Sequence, residues 1–61
     1  MTPKEIRSRR LALRMSVDEF AHELRVAPGV VRALENGDDP PLSHETLQAV
    51  FDRLEAAAKS D

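Results

Sequence analysis

Asp18, Glu19, His22 and Glu23 are the residues whose types and spacing come nearest to acid–base or metal chemistry in this chain. On a helix, Asp18 and His22 stand one turn apart, as do Glu19 and Glu23, so a carboxylate can address an imidazole. A hydrolytic site would add a nucleophile and a pocket, and a metal site would add ligands. Neither addition is in view: His44 lies far along the chain and there is no cysteine. Both histidines are expected on the surface, and no enzyme, metal site or cofactor is expected. The other chemistry belongs to arginine. Arg7, Arg14, Arg25 and Arg32 each offer a planar fork of donors that suits a phosphate or a guanine edge.

The elements that would position these arginines follow from caps and periodicity. Thr2-Pro3-Lys4-Glu5 is a helix start, with a capping threonine, proline at the first helical position and a glutamate that completes a capping box. Ile6 and Leu13 share a face of that helix, with Arg10 between them. Ser16-Val17-Asp18-Glu19 is a second capping box, and Phe20, Ala21 and Leu24 follow at helical spacing. Pro28 starts a third helix behind a poor cap, Ala27. Val31 and Leu34 would be its inner side, helped by Val30, and Gly37 its left-handed stop. Pro40-Pro41 excludes a helix in the linker. Ser43 caps a fourth helix with the stripe Leu47, Val50, Phe51 and Leu54. The helices are expected at about 3–13, 17–24, 28–35 and 44–57, in one domain over 1–61. The fold class is all-α: a compact bundle of four helices, with room for a short fifth turn. Two short helices joined tightly over 16–37 are a helix-turn-helix, whose second helix usually enters the DNA major groove.

Size and charge narrow the partners. A 61-residue chain without cysteine has a marginal core and no disulfide to reinforce it, which makes oligomerisation a common remedy. No apolar run spans a membrane and no signal-peptide pattern opens the chain, so a cytoplasmic protein is expected. Nine basic and eleven acidic residues give a net charge of −2, which argues mildly against nucleic acid. The distribution argues back: Lys4, Arg7, Arg9, Arg10 and Arg14 crowd the first 14 residues, while Asp18, Glu19 and Glu23 lie on the second helix.

The register of Ile6, Arg10, Leu13, Met15-Ser16, Glu19-Phe20-Ala21, Leu24, Val26, Val31 and Leu34-Glu35-Asn36-Gly37 resembles the phage-repressor-like (Cro/C1, also called XRE) helix-turn-helix domains, over roughly residues 5 to 54. Its most specific parts are Ser-x-x-Glu-Phe-Ala, the 25-residue spacing from Arg10 to Glu35, and the proline linker after Glu-Asn-Gly. The resemblance implies a lambda-repressor-like fold in which Arg10 and Glu35 form a structural ion pair. It places Ser16 and Val17 against the DNA backbone. Ala27, Pro28, Gly29, Arg32 and Ala33 open the recognition helix, with Val30 and Ala27 able to touch thymine methyls and Asn36 able to reach a phosphate. Arg7, Arg14 and Arg25 would hold phosphates, as would the amide ends of the second and third helices.

Departures from the family pattern shape the expectation. Val17 replaces a frequent glutamine, and Pro28, Gly29 and Ala33 replace polar readers, which leaves Arg32 alone to read a base. Arg14 and Arg25 replace favoured glycines, so both are expected in left-handed backbone. The function expected is a sequence-specific transcriptional regulator, a repressor that binds double-stranded DNA at a palindromic operator as a homodimer through Val50, Phe51 and Leu54. The alternative is a protein-interaction module on the same scaffold, an anti-activator or antitoxin-like partner that no longer binds DNA.

Overall fold

The computed structural model describes residues 1–60. Four helices follow in order, α1 (Pro3–Ala12), α2 (Val17–Leu24), α3 (Pro28–Glu35) and α4 (His44–Lys59), with no strand among the described residues. α1 stops one residue short of the expected limit and α4 runs two further, because Ala56-Ala57-Ala58 continues the helix at no side-chain cost. Lys59 is thus the last helical position, and Asp61 lies outside the described residues.

Each start has a local cause. Thr2 Oγ1 accepts the Glu5 N–H at 3.1 Å and Ser43 Oγ accepts the Thr46 N–H at 3.1 Å. At α2 the box is complete: Ser16 Oγ accepts the Glu19 N–H at 3.1 Å, and the Ser16 N–H donates to Glu19 Oε1 at 2.9 Å. At α1 it is half made, since Glu5 takes the Thr2 hydroxyl at 3.2 Å rather than its backbone N–H.

The first three helices stop in the same way. The N–H groups of Arg14 and Met15 return to the carbonyls of Leu11 and Arg10, those of Arg25 and Val26 to His22 and Ala21, and those of Gly37 and Asp38 to Leu34 and Ala33. Each is a paired closure around one left-handed residue, at φ 59° for Arg14 and Arg25 and 89° for Gly37. Two of the three left-handed sites are thus filled by arginine.

Ile6, Phe20, Ala21, Leu24, Val31, Leu34, Leu47 and Phe51 form the core. α2 and α1 pack on α3, and α4 closes against α2. The Phe20 and Phe51 rings stack at 4.7 Å between centroids. Phe51 is 0 % exposed, which corrects its place in the expected dimer seam: a ring wholly enclosed by its own chain has no surface to offer a second one. Val50 and Leu54 are half-buried against the same core.

Two arginines lock the ends together. Arg10 Nε donates to Glu35 Oε2 at 2.7 Å, Nη2 to Glu35 Oε1 at 3.1 Å and Nη1 to the Met15 carbonyl at 2.8 Å. This fork joins α1 to the end of α3, and the Glu35 hydrogen bonds hold the Arg10 guanidinium charged. Arg9 lies 4.5 Å over the Phe51 ring and donates to Glu55 at 2.6 and 3.0 Å and to Gln48 at 3.2 Å. Its hydrogen bonds keep the Glu55 carboxyl below its usual range. No buried side-chain nitrogen or oxygen among the described residues lacks a partner.

Candidate nucleic-acid interface

α3 begins at Pro28 because proline tolerates the first helical position, and Ala27 contributes no side-chain cap. Val31 at 0 % and Leu34 at 5 % exposure pin the inner side of the helix. The hundred-degree advance per residue then sends Gly29, Arg32, Ala33 and Asn36 outward. Gly29, Arg32 and Asn36 are exposed, while Pro28, Val30 and Ala33 are half-buried at the flanks. α3 is thus one unbroken rod with a free outer side.

That outer side is nearly bare. A Cβ built on Gly29 would meet nothing within 4 Å. Arg32 forms no ion pair or side-chain hydrogen bond among the described residues, and neither does Asn36. Asn36 closes α3 through its backbone, donating its N–H to the Arg32 carbonyl at 2.9 Å, and its carboxamide is left to solvent.

The two helix starts expected to receive phosphates differ. At α2 the Ser16 N–H is taken by the Glu19 carboxylate, whose pKa is lowered first by that backbone bond and then by the Ser16 side chain. A carboxylate supplied by the chain thus already sits beside that helix start, on the N-cap N–H. At α3 no side chain occupies the amide end, although Pro28 carries no N–H and the Val30 N–H returns to the Ala27 carbonyl at 2.9 Å, which leaves the Gly29 N–H to an external anion. Ala27 is exposed beside it, and exposed Ser16 and half-buried Val17 stand at the neighbouring start of α2.

The structure separates the arginines into two sets. Arg9 and Arg10 are consumed by internal pairs, and exposed Arg53 reaches Glu23 at 3.7 Å. Arg7, Arg14, Arg25 and Arg32 are exposed and make no ion pair among the described residues. The Arg9 cage was not foreseeable, because Arg9 and Glu55 are 46 residues apart and share no motif. His22 and His44 are exposed, and no group of three or more potential metal ligands forms among the described residues.

A family profile described as helix-turn-helix domain matches residues 5–57. The chain belongs to that family. The match covers all of α2 and α3, nearly all of α1, and α4 as far as Ala57. Searches among curated proteins and among solved structures returned no match. Membership points to a DNA-binding regulator, the usual role of helix-turn-helix domains. No helix among the described residues is long and apolar enough to cross a membrane.

Proposed function

We propose that this helix-turn-helix domain is a phage-repressor-like regulator that lays the outer side of α3 in the major groove and represses transcription from a palindromic operator. One observation carries the reading: Arg32 stands free on the solvent side of a rigid rod whose amide end is uncapped. Arg32 then reads a base edge, and guanine, with two acceptors in its major-groove edge, is the natural match. Arg25, in the turn between α2 and α3, contacts a phosphate. Ala27 and Val30 meet thymine methyls at most, so the bare stretch about Gly29 admits the duplex closely and leaves much of the preference to DNA shape. Two copies on two half-sites explain how so small a reading head reaches useful specificity.

Gel retardation across a salt series tests this. Duplex binding should weaken linearly in log–log form as salt rises, as counterion release requires. R32A should relax the preference at one position by about 1–3 kcal/mol, whereas R25A should weaken all duplexes alike. Failure to retard any duplex, including the DNA upstream of its own coding region, removes the proposal. The competing reading, a protein-interaction module without DNA, draws on the uncharged Val17, Pro28, Gly29 and Ala33, and predicts that failure.

A further inference from the structure

The exposed side of α1 and the exposed side of α2 are opposites. On α1, Lys4, Arg7 and Leu11 recur at helical spacing, and Arg14 follows in the turn; all four are exposed. Leu11, at 54 % exposure, is the one large hydrophobic residue that the described fold leaves out in solvent. None of the three cations has an ion-pair partner among the described residues. On α2, an open groove of about 420 Å³ is lined by Met15, Asp18, Glu19, His22 and Glu23. It is the reverse of the α1 face, an apolar floor with a rim of carboxylates.

We infer that the two faces are halves of one self-association surface, and that the occupant of the α2 groove is Leu11 of a second copy of this chain. Three features single out a second copy. The groove has several times the volume of one leucine side chain, so it admits the knob together with the stems of its flanking arginines. The knob is flanked by Lys4, Arg7 and Arg14, and the groove by Asp18, which has no partner among the described residues, with Glu19 bonded to the Ser16 N–H and Glu23 shared with Arg53 at 3.7 Å. The rim stays net negative, so contact brings unlike charges together over an apolar centre. The two faces also adjoin: the Arg14 N–H returns to Leu11 at 2.9 Å and the Met15 N–H to Arg10 at 3.3 Å, so knob and groove lie on either side of one turn. A two-fold axis beside that turn satisfies both faces at once, knob to groove and groove to knob. The surface leaves out Arg32 and Arg25, the two arginines on which the proposed DNA contact rests, and takes Arg7 and Arg14 for self-association rather than for phosphates.

Sedimentation velocity of the purified chain, without DNA, tests the inference. The wild type should pass from monomer to dimer as concentration rises, and the dimer should weaken by roughly tenfold or more on moving from low to high salt. L11D should sediment as a monomer with unchanged helical circular dichroism, since Leu11 supports nothing in the core. R7E with R14E should do the same, as should D18K with E23K. An equimolar mixture of those two charge-reversed proteins should then associate one to one, an outcome that a merely unfolded variant could not give. A wild type that stays monomeric at every concentration overturns the inference. So does a dimer that survives L11D, or a mixture of the reversed proteins that stays apart.

Discussion

Arg25 is strained for a reason that can be measured. A left-handed arginine is disfavoured relative to glycine, yet the closure of α2 works through backbone groups alone and would accept glycine without change. R25G should therefore raise stability by about 0.5–1 kcal/mol in thermal melts, while lowering the salt slope of DNA binding by about one. A loss of stability would show that the side chain has a structural duty not visible in its contacts. Arg10 is the contrary case. With Glu35 at about a tenth exposure on each side chain, it is a clamp, and removing one partner of such a pair costs about 3–5 kcal/mol when burial is complete.

At the scale of the element, α4 is held through one ring. Phe51 stacks on Phe20, carries the Arg9 guanidinium on its face and is 0 % exposed. F51A should cost about 3–5 kcal/mol, enough in so small a domain for denaturant melts to find it largely unfolded. The same ring shows where the sequence can and cannot be read. Periodicity put Phe51 on the apolar stripe of the fourth helix, and the caps Thr2, Ser16 and Ser43 marked three of the four helix starts, with Gly37 marking the end of α3. Periodicity says only that a residue is on an apolar face, however, and not whether the neighbour across that face is the chain itself or a second copy. Ring stacking and the Arg9 cage are decided by packing between residues remote in sequence. The outer side of α3 was legible for the opposite reason: once Val31 and Leu34 are inside, helix geometry alone sends Gly29 and Arg32 out. The seated carboxylate at the start of α2 was half legible, since Ser16 and Glu19 announced a capping box whose occupation of the amide end the structure makes plain.

For the molecule as a whole, pH acts through two carboxylates. Glu19 is lowered by hydrogen bonds from Ser16 and Glu55 by those from Arg9. In the unfolded chain both titrate near 4.5, so at that pH the unfolded state holds more protons than the folded one and stability rises with pH. The contribution is complete above the unfolded value and is lost as pH falls through the lower folded values. Denaturation midpoints should accordingly be flat near neutrality and decline below about pH 5. E55Q should flatten part of that decline, because it removes the group that titrates between α4 and Arg9. A midpoint that holds constant down to pH 3, roughly a unit below where free carboxyls titrate, would show that neither carboxylate is coupled to folding.

The empty surroundings of Gly29 carry a consequence for how such a domain changes its target. Nothing in the architecture casts a vote on what stands at that position, so a reader introduced there is answerable to DNA alone. Gln in place of Gly29 should keep the melting temperature or raise it, since glycine is the poorer helix former, while a selection from random duplexes should recover a new preferred adenine. On the proposed reading, target choice and foldedness are carried by different atoms, and a lineage built on this scaffold could switch operators in one step without first acquiring a compensating change in its interior.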